Sequence, residues 1–413
     1  MPVMGMTVGA LLLWMSASAH SEIDAPMILP MGDRESLMGN AGVSISGSAG
    51  NIFYNPAGLD SLTGAKFSAS GSAYAYVMGR VEAFDKSVDM NTLASVPNML
   101  AITRRIRSWT YAFGIFSPIA IQGDIDIQHT DSNVGLNFTL NNSFRTEEQY
   151  VGIASGKDIG RGWSFGLGLF VHRYFSKSLS SFFASPAPTT AYLQKSERQQ
   201  LEVLGLLPIM GVQKEVLRKV RFGMRIAAPD LKLMGRSKMH SEELQVTSGP
   251  PTMKIVREEG EGDYRLPLDV VNGLTWTPNN KHSISAELGV QFPTRFDSMP
   301  GLSFGTYYDT RLTLRQHLGY EYRFSDEYSL LAGLLRSPSS VDRSYNKADG
   351  KRLDPNNYYS ATTGFYVREK SHTSGVGIFY ANSKTKEGVF DLERAARSGF
   401  SVYGVILSTT INL

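Results

Sequence analysis

The sequence predicts an all-β protein, a transmembrane, antiparallel, up-and-down β-barrel of about 14 strands. Three observations predict it. From Leu62 to the C-terminus, apolar and polar residues alternate with period two in stretch after stretch, as strands do when one face meets lipid and the other a lumen. Only 19% of the 413 residues are charged, against roughly 25% in soluble proteins, while 40 glycines and 11% aromatics suit crowded lumen faces and interfacial girdles. Past the N-terminus there is no run of ~18 apolar residues, so any membrane crossing is made by strands.

The elements follow in chain order. Gly5 to Met15, GMTVGALLLWM, is an apolar stretch too short to span, and Ala17-Ser18-Ala19 follows with small residues at the cleavage spacing. Residues 1–19 therefore read as a signal peptide, although its first part lacks Lys and Arg. Residues 20–61 show no strand alternation and cannot bury a core alone. Their centre, Gly39 to Leu62, GNAGVSISGSAGNIFYNPAGLDSL, is rich in small residues that permit close chain approach. Such a segment has to be held by what surrounds it.

Residues 62–413 hold the alternating stretches: 65–79, 96–106, 109–121, 146–157, 162–176, 197–215, 219–236, 264–277, 281–293, 310–324, 327–340, 357–369, 372–384 and 399–412. In 281–293, Ile284, Ala286, Leu288, Val290 and Phe292 share one face, with Ser283, Ser285, Glu287, Gly289 and Gln291 on the other. Alternate connections are short, near Arg107-Ser108, Asp158 to Arg161, Leu217-Arg218, Pro278 to Asn280, Ser325-Asp326 and Lys370-Ser371; the rest read as long loops. Short periplasmic turns alternating with long extracellular loops are a barrel signature, and Trp109, Trp163, Trp276, Tyr322 and Phe324 lie beside the short turns, where an interfacial girdle belongs.

Two stretches carry a family resemblance. Asn55-Pro56-Ala57 within the small-residue segment, and Trp109 to Pro118, WTYAFGIFSP, resemble the N-terminal hatch and the third strand of the FadL/TodX family of outer-membrane transporters for hydrophobic compounds. The resemblance implies that 20–61 is a hatch, or plug, inside a barrel of 62–413, with Asn55, Pro56, Ala57 and Gly58 in its gating. It also implies a lateral opening in the wall near Gly114 and Pro118, and a place in the bacterial outer membrane. The surroundings would be outer-membrane lipid, reached through the barrel-assembly machinery; the apolar face Tyr403 to Ile411 looks like an assembly signal, although the last residue is Leu413 instead of an aromatic. From the residues alone, Pro118 has two readings: a break in strand pairing, because it lacks a donor, or the end of its strand.

Motifs for chemistry are missing. The seven histidines are scattered, there is no cysteine, and no metal-ligand spacing, phosphate loop or nucleophile elbow occurs, so neither a cofactor nor an enzymatic activity is expected. A net charge of +3 from interspersed residues gives no nucleic-acid footprint. By parity, Phe170, Leu331, Leu335, Phe379 and Ile406 face the lumen, either as a greasy conduit or packed on the plug. Arg221, Arg225, Arg311 and Arg315 also face inward, to hold a ligand carboxylate or to pair with Asp269, Glu287 or Glu321. In Ser180 to Ala187, read as a long loop, Phe182 and Phe183 would be exposed for apolar capture. The expected ligand is a hydrophobic small molecule, a long-chain fatty acid ahead of an aromatic hydrocarbon, taken up passively. The competing reading is a structural or adhesive barrel that binds a surface partner through its loops.

Overall fold

A computed structural model of the protein describes residues 29–413 except 84–85, 132–135, 187–190, 247–249, 348–349, 351, 354, 356 and 385–398. The expected leader, 1–19, and residues 20–28 lie outside it. The strands in order are β1 (Ala65–Ala83), β2 (Lys86–Ile106), β3 (Trp109–Asp131), β4 (Leu136–Gly160), β5 (Trp163–Pro186), β6 (Tyr192–Leu217), β7 (Val220–Ala227), β8 (Leu231–Val246), β9 (Thr252–Gly260) and β10 (Asp269–Asn279). They continue with β11 (His282–Gln291), β12 (Arg295–Asp297), β13 (Thr306–Asp309), β14 (Thr313–Arg323), β15 (Tyr328–Ser337), β16 (Tyr345–Asn346), β17 (Asn357–Arg368), β18 (His372–Lys384) and β19 (Gly399–Asn412). β1 to β7 with β10, β11, β14, β15, β17, β18 and β19 form a closed antiparallel barrel of 14 strands, shut by β1 against β19 from Lys66–Asn412 to Met78–Phe400. β8 and β9 add a flap to the upper part of β6.

Period-two alternation puts Ile102, Phe113, Ile153, Leu167, Leu288, Leu334, Phe365 and Leu407 on the outside, all exposed, while their strand neighbours are buried in the lumen. An apolar band around a closed barrel is the surface of a membrane-spanning protein. At three of the short turns a non-glycine residue takes positive φ, Arg107 at 56°, Arg161 at 55° and Lys219 at 79°, the backbone that lets a tight hairpin follow strand twist.

The wall is uneven in height, which departs from the expected loops. β1 to β6 run 19 to 26 residues, well beyond the ~9–11 that cross a bilayer, so the long connections expected after β1, β3 and β5 are strand instead. In these extensions the inner face stays covered, as at Tyr174, Leu201 and Val203 under the cap residues, and the burial of β6 alternates well into its upper part. The expected strand 219–236 is divided into β7 and β8 by Ala228-Pro229-Asp230; the expected strand 264–277 starts later, as β10 from Asp269, and β9 lies where a loop is expected. On the lower side of the rim, β12, β13 and β16 form a small sheet. Its Phe296 and Tyr308, with the neighbouring Val341, pack with Tyr174, Val203 and Tyr264 as a cap.

Candidate functional site

Residues 29–62 fill the lumen. The segment has few regular hydrogen bonds of its own, so side chains and the wall satisfy it. Asn55 caps the short 3-10 helix Pro56–Ser61, accepting from the Ala57 N–H at 3.1 Å, and its Nδ2 donates to the carbonyls of Val43 at 2.6 Å and Val212 of β6 at 3.1 Å. Pro56 sits at the first helical position, where a missing N–H costs nothing. Gly58 lies against Asn51 and the Ile45 carbonyl, so its close approach is to the plug itself. The wall makes room with its own glycines: a Cβ at Gly166 would stand 2.2 Å from Pro56 C, at Gly211 2.0 Å from Asn55 Oδ1, at Gly223 2.1 Å from Val43 O and at Gly333 2.0 Å from Gly39 N. These four come from β5, β6, β7 and β15, a glycine girdle around the plug.

Charge fixes the other side. Asp33 Oδ2 accepts from Tyr366 Oη at 2.8 Å and Thr410 Oγ1 at 2.8 Å, and Arg34 pairs with the fully buried Glu321, which also holds Arg323 and Arg368. Glu287 Oε1 accepts from the Val43 N–H at 2.6 Å. Leu331 packs with the plug residues Leu37 and Met38, and Phe170 stands 6.1 Å from the plug ring of Phe53, so these lumen residues cover the plug and do not line an empty conduit.

The wall is broken between β2 and β3. Among the described residues their ladder runs only from Ile106–Trp109 to Met99–Phe116, although β3 continues paired with β4 as far as Asp131. The β3–β4 register slips between Phe116 and Ile119, skipping Ser117 and Pro118. Pro118 therefore does not end its strand; it stands where pairing to β2 stops. Gly114 is not at the break, as expected from sequence, but within the ladder opposite Ala101, where the Phe116 ring and Ile52 occupy the space a side chain would need. The plug's first described residues bridge the gap: Leu29 N–H donates to the Pro118 carbonyl at 3.4 Å, and Asn98 Nδ2 of β2 donates to the Pro30 carbonyl at 2.6 Å.

A lumen cavity of about 60 Å3 adjoins this gap, lined by Phe53, Pro118, Tyr150, Leu207 and Leu266 on its apolar side and by Arg225, Arg315, Asp269, Glu148 and Gln291 on its polar side. Asp269 is shared: Arg225 Nη1 lies 3.3 Å from Oδ2 and Arg315 Nη2 bonds Oδ1. The two guanidiniums thus have one carboxylate between them, and Arg225 Nε, Arg315 Nε and Gln291 Oε1 are buried without a partner among the described residues. Arg225 also lies over the Phe53 ring at 4.9 Å. Arg221 is taken by Ser46 of the plug, and Arg311 is exposed, contrary to its expected inward position.

Sequence reasoning missed the rings above the cavity. Phe116, Phe53, Tyr150, His172, Tyr264, Phe296 and Tyr308 succeed one another at 5.5, 5.2, 4.9, 5.6, 5.8 and 4.7 Å, from the wall break to the cap. His172 is buried between Glu148, 2.9 Å from Nε2, and Asp230, 3.6 Å from Nδ1, as charge partners without aligned hydrogen bonds. The expected capture pair is corrected: Ser180 to Pro186 belongs to β5, Phe182 is buried, and Phe183 alone is exposed, 5.8 Å from Tyr192. No group of three metal-ligating side chains occurs among the described residues.

No protein-family model and no curated protein sequence matches the chain. Solved structures do. The toluene transporter TodX of Pseudomonas putida is similar at 12% identity and TM-score 0.65, covering 94% of this chain and 100% of that one. A FadL homologue of Pseudomonas aeruginosa is similar at 11% identity and 0.59, over 94% and 99%, and the toluene transporter TbuX of Ralstonia pickettii at 12% and 0.61, over 94% and 100%. The chain has the FadL/TodX barrel fold. In this FadL/TodX-type barrel the wall break, the cavity and the plug ends meet at one place.

Proposed function

We propose that the chain is a member of the FadL/TodX family and a channel of the bacterial outer membrane for passive uptake of hydrophobic small molecules. The observation that carries this reading is the interrupted β2–β3 ladder beside a lumen cavity, bridged by Leu29 and Pro30. Ligand enters at the capped mouth, descends along the aromatic succession to the cavity, and leaves sideways once the plug ends release Pro118 and Asn98. Asn55, Pro56, Ala57 and Gly58 hold the plug ordered between these states. The cavity's small volume is a closed state, and ligand enters as the plug yields.

Arg225 and Arg315 put two guanidinium forks on the cavity wall, which favours a carboxylate head group and hence a long-chain fatty acid. The ring succession favours a second reading, an aromatic hydrocarbon, the ligand class named for TodX and TbuX. Because the native chain has no cysteine, Leu29→Cys with Pro118→Cys gives a clean lock across the gap. In proteoliposomes, oxidation should bring oleate and toluene uptake down to the level of empty vesicles, and reductant should restore it; undiminished uptake in the cross-linked protein removes the lateral exit. Arg315→Ala should weaken oleate binding by about 1.5–3 kcal/mol and leave toluene unchanged. Equal loss for both assigns Arg315 to structure.

A further inference from the structure

A second concavity, of about 800 Å3, lies on the outer wall of the barrel, not in the lumen. Ile102, Phe113, Ile153, Leu167, Leu169 and Met210 line it from five adjacent strands, β2 to β6, and each is exposed. The volume falls within the roughly 300–1,000 Å3 of ordinary ligand clefts. Immediately toward the short turns the outer face changes character. Arg104, two residues on from Ile102, stands opposite Tyr111; Lys157 stands opposite Trp109 with its ammonium 5.4 Å from the ring; Lys214 stands opposite Trp163 at 4.4 Å. None of these three cations has a carboxylate within 4.0 Å among the described residues. An apolar groove in the lipid-facing band thus ends on a row of unpaired cations braced by aromatic rings, at the depth where head groups begin.

We propose that this groove and row form a docking site for an anionic phospholipid of the leaflet on the short-turn side, with acyl chain in the groove and phosphodiester at Arg104, Lys157 and Lys214. Charge complementarity selects the occupant. Cations at a membrane surface attract anionic lipid, and partly desolvated charges without partners gain most from an anion. Arg104 offers a fork to the phosphate oxygens, while the two lysines act as point charges. A zwitterionic lipid fills the same groove but presents an ammonium to the row. The site is independent of the lumen cavity and of the uptake reading.

The test is native mass spectrometry of the full-length protein in detergent, titrated with phosphatidylglycerol or with phosphatidylcholine of matched chains. Wild type should retain one phosphatidylglycerol in preference to phosphatidylcholine. The variant Arg104→Gln, Lys157→Gln, Lys214→Gln should lose that preference, by about fivefold per cation and on the order of a hundredfold for the three. Should that variant not give a heat-modifiable barrel, Ile153→Trp, which fills the groove and keeps every charge, carries the test and should also lose the bound lipid. Equal retention by the variants, or no preference in wild type, overturns the site. Displacement of phosphatidylglycerol by oleate at lower concentration also overturns it, because the occupant is then a free fatty acid.

Discussion

Gly166→Ala tests whether close approach holds the plug. The added Cβ would stand 2.2 Å from Pro56 C and 2.3 Å from Ala57 N, both backbone, so the plug must retreat by about 1 Å to reach ordinary contact. That retreat stretches the bonds from Asn55 Nδ2 to the wall carbonyls of Val212, now 3.1 Å, and Met224, now 3.4 Å. At about 1 kcal/mol each, with some strain added, docking should weaken by about 2–3 kcal/mol, and the undocked population should rise roughly 30- to 150-fold. The strand ladder is untouched, because the new methyl points into the lumen. Hydrogen exchange read over 29–61 should therefore accelerate by that factor while the barrel amides and heat-modifiable migration stay unchanged. Gly168→Ala on the same strand is the control, since the atoms nearest its Cβ belong to the Phe170 ring and not to the plug. If Gly166→Ala leaves 29–61 as protected as wild type, the girdle does not hold the plug.

Two further outcomes follow from the plug's contacts. Asn98→Leu removes the donor to the Pro30 carbonyl, and single-channel recordings should show openings about fivefold more frequent, the worth of one hydrogen bond; an unchanged frequency separates this contact from gating. Burial pushes the Glu35 carboxyl up to about 7 from 4.5, against the Ser48 bond and Arg34, which lower it. A folded value above the unfolded one means that docking is strongest below about pH 4.5, weakens as pH rises toward 7 and then levels off, over a span of about 3 kcal/mol. Glu35→Gln should flatten this dependence in exchange measured across pH 5 to 8, and a slope equal to wild type assigns it elsewhere.

Period two was enough to find the membrane-crossing part of each strand and the side each residue faces, because only there do the two faces meet opposite media. Arg225, Arg315, Phe170 and Leu331 were placed inward by that parity, and all are buried. The extensions of β1 to β6 were read as loops because they run beyond the ~9–11 residues that a crossing needs. Phe182 and Phe183 were misread as loop for the same reason. Ala228-Pro229-Asp230 was read through as part of 219–236, and its effect on pairing depends on which strand lies beside it. The ring succession from Phe116 to Tyr308 draws single residues from β3, the plug, β4, β5 and the 261–268 segment and two from the cap, so no local pattern reveals it. The girdle glycines were visible as lumen-side glycines at alternating positions, yet what they make room for depends on the path of the plug.

The bonds of Asp33 set an order of events in biogenesis. Its carboxylate is held by Tyr366 and Thr410, the latter 377 residues further along the chain. Thr410 is in position only when β19 has closed on β1, so this bond of the segment made first among the described residues waits for the last strand. Contacts that distant cannot assist early steps, because the loop must be closed before they form. Asp33 thus works as a clasp between the first and last parts of the described chain, which holds the plug fully only in a barrel that has sealed.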